Sequence, residues 1–197
     1  MTSTRKLQNE IPVKLFKSQK AWTTWLDKNH AKSAGVWLQI AKKAGNLKSV
    51  SYAEAVEVAL CYGWIDGQGK GLDESAYLQK FTPRGPRSIW SKINRTKVTE
   101  LNKSGRMQPA GLAAIDRAKK NGQWAAAYDS HRTAAVPGDL QAALDQNSKA
   151  KAFFATLDST NRYAILFRLQ TAKKAETRAR RLEQFVRLLE NHEKLNP

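Results

Sequence analysis

Segments with the composition of β-strands occur only in the first half of this chain. Residues 36–41 (Val-Trp-Leu-Gln-Ile-Ala) are rich in β-branched and aromatic residues, as a buried strand is. Residues 64–67 and 76–81 are two further short strands, which a glycine-rich turn would join. Residues 139–195 contain no convincing strand. The sequence therefore predicts an α+β fold, with a small antiparallel or mixed sheet and helices in the N-terminal part and an all-helical C-terminal part.

The chain is long enough for one domain or for two small ones. Its 197 residues lie in the range of about 100–200 residues that one domain typically has. The Pro137-Gly138 pair is the best candidate for a boundary, because both residues interrupt regular structure. We expect an α+β domain over residues 1–136 and a helical region over residues 137–197 that packs on it or beside it.

Capping residues and apolar spacing predict two helices near the start of the chain. Ser18 is a plausible N-cap for a helix that runs to His30 with a tryptophan-rich face. Ser51 and Glu54 have the spacing of a capping box, and the helix that follows them ends before Gly63, its left-handed C-terminal residue.

Further helices follow from the same spacing rules. They are predicted at residues 88–103, 109–122, 140–144 with flanks, 149–157 and 162–195, the last one interrupted near Ala172. In the last helix an apolar face lies among arginines: Leu182, Phe185, Val186 and Leu189 with Arg178, Arg180, Arg181 and Arg187. Residues 1–12 form a polar lead-in, and Lys42, Lys43 and Gly45-Asn46 form a turn.

Composition predicts a folded chain that needs neither disulfides nor metal. Hydrophobic residues make up 41% of the chain and charged residues 26%, close to the globular average. The single cysteine, Cys61, excludes an intramolecular disulfide and is expected to be a buried free thiol. The N-terminus has no apolar signal region, and no apolar run approaches the ~18 residues of a membrane span. We expect a cytoplasmic protein without a transmembrane segment.

The charge of the chain is strongly positive. Lys and Arg number 34 against 17 Asp and Glu, which gives a formal net charge of +17. Self-repulsion of this size disfavours a compact chain, so a persistent excess suggests a negatively charged partner. The alternative interpretation is general solubility, and the charge by itself selects a class of partner and no identity.

The most unusual segment spans residues 80–97. It contains six cations and no acid: Lys80, Arg84, Arg87, Lys92, Arg95 and Lys97. Ser88 is expected to begin a helix just after two arginines, and guanidinium groups beside free helix-start amides form an anion site. In the alternative interpretation, Trp90 and Ile93 simply anchor the helix and the cations face solvent. The candidate anion-binding residues are Trp64, Asp66, Tyr77, Arg84, Arg87, Ser88, Trp90, Lys92 and Asn94.

A pocket is the second hypothesis for the same region. Strand alternation places Trp64 and Asp66 on one face, where Asp66 would pair with Arg84 or Arg87. With Tyr77 and Trp90 these side chains would line a hollow for a small anionic ligand, whereas a structural salt bridge is the simpler explanation.

Other catalytic or ligand motifs are missing from the sequence. Gly67, Gly69 and Gly71 join two predicted strands and do not open a helix, so they are interpreted as a hairpin turn and not as a phosphate loop. The three histidines are far apart and have no His or Cys at metal-binding spacing. We predict no metal site, no cofactor and no catalytic residue.

Five motifs resemble those of the YdeI/OmpD-associated family, which is also labelled bacteriocin-protection. They are residues 51–67, Phe81-Thr-Pro-Arg84, residues 87–94, residues 105–111 and the basic stretch 172–181. The resemblance implies a role in protecting bacteria from cationic antimicrobial peptides, through association with an outer-membrane porin. It supplies no catalytic residue.

Three functions are compatible with these observations. The leading hypothesis is a non-enzymatic stress or antimicrobial-protection protein that binds an anionic partner through residues 80–106 and the basic C-terminal helices. That partner would be an anionic macromolecule, nonspecific nucleic acid included, or a small anion. The second hypothesis is an enzyme or receptor with the pocket around Trp64, Asp66, Arg84 and Arg87. The third is a module that self-associates through its aromatic surface. The sequence leaves the oligomeric state open.

Overall fold

A computed structural model describes residues 11–43 and 46–196 of the chain. These residues form four strands and eight helices, in the order β1 (Val13–Leu15), α1 (Gln19–Asn29), β2 (Val36–Ala41), α2 (Tyr52–Cys61), β3 (Trp64–Gly71), β4 (Ala76–Pro83), α3 (Lys92–Lys103), α4 (Pro109–Lys120), α5 (Gly138–Asp145), α6 (Ser148–Thr156), α7 (Ser159–Gln170) and α8 (Ala175–Glu190). Most of the predicted lead-in and Gly45 of the predicted turn lie outside the described residues.

The chain divides into two compact units. Met1–Ser88 and Asn94–Ala125 form the first, called here the sheet unit, and Ile89–Ile93 and Ala126–Pro197 form the second, called the helical unit. The predicted domain boundary at residues 136–137 stays a prediction. No helix among the described residues is both long and apolar enough to cross a membrane.

The four strands form one mixed sheet in the order β1-β2-β4-β3. Strand β1 runs parallel to β2, whereas β4 pairs antiparallel with both β2 and β3. Burial alternates along β2, with Val36, Leu38 and Ile40 buried and the residues between them half-buried, as one covered sheet face requires. The predicted α+β fold with a mixed sheet is confirmed, and β1 is an addition that its three exposed residues did not reveal.

An aromatic core lies on the sheet face that α1 covers. The ring of Trp22 in α1 packs 5.7 Å from Phe81 of β4 and 6.3 Å from Trp64 of β3. Buried indole N–H groups need acceptors, and here Trp22 donates to the carbonyl of Ala55 and Trp64 to the carbonyl of His30. The first bond joins α1 to α2, and the second joins β3 to the C-terminal end of α1.

The predicted caps are present where the sequence placed them. Ser18 accepts from the amide of Ala21, and Ser51 and Glu54 form the reciprocal capping box at the start of α2. Gly63 has a φ of 71°, and a Cβ there would lie 2.7 Å from the carbonyl oxygen of Ala110. Only glycine fits this position, because both the backbone conformation and the close approach of α4 exclude a side chain.

The predicted glycine turn is wrong. Gly67, Gly69 and Gly71 lie inside β3, which continues to residue 71 with an irregularity between Asp66 and Gly69. The chain turns later, where the Asp73 carboxylate accepts from the amides of Ser75 and Ala76. An aspartate that bonds its own downstream backbone sets a turn by itself, so the glycines are not needed for it.

The predicted helix start at Ser88 is also wrong, because α3 begins at Lys92. The chain before it is extended: the Trp90 carbonyl accepts from the Tyr128 amide, and the Lys92 amide donates to the Tyr128 carbonyl. These two bonds form a short parallel bridge at Ser91 that prevents an earlier helix start. The free helix-start amides expected beside Arg84 and Arg87 are therefore not at Ser88.

Helices α5 to α8 build the helical unit around an apolar core. Its largest members include Leu144, Phe154, Leu169, Phe185 and Leu189. The predicted interruption near Ala172 is confirmed, since α7 ends at Gln170 and α8 begins at Ala175.

Candidate functional site

The cations of residues 80–97 do not share one environment. Lys80 lies on the sheet, with its Nζ 5.7 Å from the Trp37 ring centroid. Arg84 is buried, at 5% exposure. Lys92 forms an ion pair of 2.7 Å with Asp129 inside the helical unit, which lowers the pKa of Asp129. Of the two candidate arginines, Arg84 and Arg87, Arg87 is the exposed one.

The remaining candidates divide between the two units. Trp90 and Lys92 belong to the helical unit, whereas Tyr77, Ser88 and Asn94 belong to the sheet unit. Trp90 is buried, whereas the side chains of Tyr77, Ser88 and Asn94 are half-buried. The predicted pocket for a small ligand stays a prediction.

Trp64 and Asp66 lie on one face of β3, paired with Pro83 and Phe81. Trp64 is 1% exposed and belongs to the aromatic core. The Asp66 carboxylate accepts a hydrogen bond of 2.7 Å from the Tyr52 hydroxyl. Arg84 approaches this strand through its backbone, whose N–H donates to the Gly63 carbonyl at 2.9 Å. Asp66 thus connects β3 to α2 in this structure, and its predicted pairing with Arg84 or Arg87 stays a prediction.

Helix α4 holds the loop that carries Arg84 and Arg87. The Arg117 guanidinium donates to the Arg84 carbonyl at 3.1 Å, and the Asn121 side chain donates to the Pro86 carbonyl at 2.9 Å. Both bonds satisfy loop carbonyls that no secondary structure pairs. Exposed Arg87 is therefore positioned beside the C-terminal end of α4.

A tryptophan lies between two cations at the same end of α4. The Arg95 guanidinium is 5.1 Å and the Lys119 Nζ 5.8 Å from the Trp124 ring centroid. The last turn of α4 also contains Arg117 and Lys120. We call the basic cluster Arg95 and Lys119 at Trp124 together with Arg117 and Lys120 of the last turn of α4 and Arg87 of the adjoining loop. Asp116 is the acid of α4 in its neighbourhood.

The sequence prediction missed the α4 part of this cluster. Cations in a last helical turn favour the helix dipole, so Arg117, Lys119 and Lys120 have an ordinary structural explanation in the sequence. The signal available was the density of cations in residues 117–120, three of four positions. No local pattern in the sequence predicts the contact of Trp124 with Arg95, which is 29 positions away.

The two units differ in charge and in its neutralisation. The sheet unit has 21 Lys and Arg and 9 Asp and Glu, a net charge of +12, and the helical unit has 13 and 8, a net charge of +5. Within the described residues the sheet unit contains two ion pairs, Lys103–Glu100 and Arg106–Glu57, and the helical unit contains five. More uncompensated charge therefore remains in the sheet unit.

Arginines of the basic stretch 172–181 hold helices together. Arg178 forms two hydrogen bonds with the Asp139 carboxylate, of 2.7 and 2.8 Å, and a third with the Leu169 carbonyl. Arg181 donates to the Arg168 carbonyl. These carbonyls belong to the last turn of α7, where helix carbonyls have few donors within the helix itself. The Arg178 hydrogen bond lowers the pKa of Asp139.

Cysteine and tyrosine often have catalytic roles, and two of them lie at the end of α2. Cys61 is buried at the end of α2, and burial raises the pKa of its thiol. Its neighbour Tyr62 donates to Asp27 of α1, and burial is the main cause that raises its pKa. Within residues 11–43 and 46–196, no group of three or more His, Cys, Asp or Glu is arranged to hold a metal ion.

The fold defines an α+β protein with a mixed sheet in its N-terminal part and helices that dominate residues 138–190. A family model described as a domain of unknown function (DUF8412) matches residues 14–114, just over half of the chain, and the chain belongs to this family. The model described as bacteriocin-protection, YdeI or OmpD-associated, matches residues 133–192 and confirms the predicted resemblance there. No curated protein and no solved structure matches the chain.

The two matches divide the motifs on which the resemblance was based. The basic stretch 172–181 lies within the bacteriocin-protection match. The other four motifs, between residues 51 and 111, lie within the DUF8412 match. The family resemblance to YdeI/OmpD-associated proteins thus applies to the helical unit.

Proposed function

We propose that this chain is a non-enzymatic bacterial stress or antimicrobial-protection protein of the YdeI/OmpD-associated type, and that it binds an anionic macromolecule in the cytoplasm. One observation supports this most: Arg95 and Lys119 lie over the Trp124 ring, beside the end of α4 that contains Lys120 and that bonds the loop of Arg87. These residues belong to a unit with a net charge of +12. Cations that form no ion pair among the described residues are available to phosphate or sulfate groups.

The proposal assigns binding to the sheet unit and not to the C-terminal helices. Arg178 and Arg181 are occupied with Asp139 and with helix carbonyls, so an external anion would have to displace them. Arg87 and the lysines of α4 have exposed side chains instead. The protection role rests on the match of residues 133–192 to the bacteriocin-protection family.

Binding of the purified full chain to heparin and to a nonspecific DNA duplex tests the proposal. Affinity for both should fall steeply as salt rises, because each neutralised phosphate releases counterions. The triple variant Arg87→Gln, Lys119→Gln, Lys120→Gln should bind duplex DNA roughly tenfold more weakly. Its slope of log affinity against log salt should be smaller by about 2 to 3, since each contact contributes about 0.9.

A matched control keeps the same change in net charge. Lys149→Gln, Lys173→Gln, Lys174→Gln removes three exposed lysines of the helical unit, and it should change the affinity less than about threefold. Equal losses in the two triple variants would show that only net charge matters. Salt-insensitive or absent binding by the unmodified chain would remove the proposal.

A further inference from the structure

Trp37 lies on the sheet face opposite to the one that α1 covers. Phe81, which packs against Trp22 of α1, pairs directly with Val36 of β2. Successive residues of a strand point to opposite faces, so Trp37 points away from this helix. Its side chain is half-buried, whereas Val36 and Leu38 on either side are fully buried. The outer face of the sheet therefore presents an indole.

Two lysines lie against this indole. Lys80 is the direct partner of Trp37 across β2 and β4, and its Nζ is 5.7 Å from the ring centroid. Lys70 of β3 pairs with Leu78, two residues from Lys80, and its Nζ is 4.5 Å from the same centroid. Strand register thus puts all three side chains on one face. We call this arrangement the Trp37 face.

The surroundings of the Trp37 face contain apolar groups and no strand carboxylate. Val13 and Leu15 of β1 are 54% and 37% exposed, and Val13 pairs with Trp37 itself. Asp66 is the single acidic residue in the four described strands, and it lies on the helix-covered face as the partner of Phe81. An anionic ligand therefore meets lysines and an aromatic ring without repulsion from the sheet.

We propose that the Trp37 face binds single-stranded nucleic acid, with a base stacked on Trp37 and the flanking phosphates bound by Lys70 and Lys80. This inference rests on the proposed function and adds a second site with a defined ligand. Base–aromatic stacking is stronger than an exposed cation–π contact, so a base displaces the lysines from the ring toward its phosphates. Single strands are the fitting ligand because their bases are free to stack, whereas duplex bases are paired inside the helix.

Fluorescence anisotropy with a labelled oligothymidylate tests this site in the full chain. Trp37→Ala should weaken oligothymidylate binding about tenfold, the loss typical of one stacked base. It should change heparin affinity less than about twofold, because heparin has no base to stack. Trp37→Phe retains an aromatic face and should recover most of the affinity. Leu72→Ala, which removes another exposed apolar side chain, is the matched control and should have no effect.

A lysine pair tests the phosphate contacts without touching the core. Lys70→Gln with Lys80→Gln should weaken oligothymidylate binding and reduce its salt slope by about 1.4, at about 0.7 for each single-strand contact. Lys173→Gln with Lys174→Gln removes the same charge from the helical unit and should leave the slope nearly unchanged.

The outcomes separate this inference from the proposed function. If Trp37→Ala and the Lys70/Lys80 pair both bind oligothymidylate like the unmodified chain, while heparin binding remains salt-dependent, the Trp37 site is wrong and the proposed function stands. If the unmodified chain binds neither polyanion, both fail. Equal sensitivity of a duplex of the same length to Trp37→Ala would overturn the single-strand assignment.

Discussion

Several cations of the helical unit lie against carboxylates and helix carbonyls, whereas Arg95 and Lys119 in the basic cluster of the sheet unit contact a tryptophan. Arg178, for example, binds Asp139 and the Leu169 carbonyl together. In the sheet unit, Lys119 and Arg95 contact the Trp124 ring and have no ion pair among the described residues. The difference teaches that a high net charge does not itself indicate where a protein binds anions.

Helix structure explains why arginines of the helical unit donate hydrogen bonds to carbonyls of the same unit. The last four carbonyls of a helix lack intrahelical donors, and guanidinium groups supply several donors at fixed geometry. Arg178 and Arg181 supply such donors to the last turn of α7. The same residues form part of the basic stretch 172–181 that contributed to the family resemblance. Two arginines of this stretch therefore have a structural role within the helical unit.

The largest effect on stability that would test this comparison is expected at Arg178. Arg178→Ala removes a bidentate ion pair and a helix cap, so it should lower the free energy of unfolding by about 2 kcal/mol in urea titrations. Arg187→Ala, which breaks an ion pair whose side chains are 70% and 72% exposed, is the control, and it should cost less than about 0.5 kcal/mol. Equal effects at the two arginines would contradict a structural role for Arg178.

A smaller effect on the free energy of unfolding is expected at Asp139, and it should depend on pH. The Arg178 hydrogen bond lowers the pKa of Asp139 in the folded chain. Its stabilisation is therefore complete above the unfolded pKa, about 3.9, and is lost as pH falls through the lowered folded value. Asp139→Asn should cost about 1 kcal/mol at neutral pH, because the pair is partly exposed. The difference between the variant and the unmodified chain should disappear in strong acid.

Urea midpoints measured over a pH series check this expectation. Asp116→Asn, a substitution at an exposed position of α4, controls for the loss of one carboxylate. A cost of Asp139→Asn that stays constant down to strong acid would mean that the stabilisation does not come from the charged pair.

The smallest effect on stability is expected in the basic cluster. Arg87→Gln, Lys119→Gln and Lys120→Gln together should change the free energy of unfolding by about 0.5 kcal/mol or less for each substitution. A small gain is the expected direction, because removing like charges reduces repulsion. Thermal unfolding at low and high salt measures both quantities. A large loss of stability would place these cations among the structural ones and remove the contrast between the two units.

Most of the regular structure could be predicted because its signals are local. The β-branched and aromatic residues of 36–41 identified β2, and the Ser51 and Glu54 pair identified the start of α2. The start of α3 could not be predicted, since Tyr128, nearly forty positions away, keeps residues 90–92 extended. The turn predicted at the glycines of β3 was wrong for a different, local reason: the Asp73 side chain accepts from the amides of Ser75 and Ala76 and sets the turn a few residues later.

For the candidate site, the sequence predicts a chemical class, anion binding, but not an arrangement of residues. The run of cations in residues 80–97 pointed to anions, but Lys80, Arg84 and Lys92 lie in three different environments. The residues that accompany Arg87 and Arg95 come from α4 and Trp124, which the sequence places far from them. Cation spacing along a chain does not determine which cations face the same side.

The sequence alone determined the fold class, the helix caps, the absence of an intramolecular disulfide and the excess of positive charge. Each of these depends on composition or on residues a few positions apart. The tertiary structure decided which cations bind carboxylates and carbonyls within the protein and which could bind an external anion. That choice depends on contacts such as Arg178 with Asp139 and Arg95 with Trp124. Such contacts form only when distant segments pack, because hydrogen bonds and cation–π contacts act over a few ångströms.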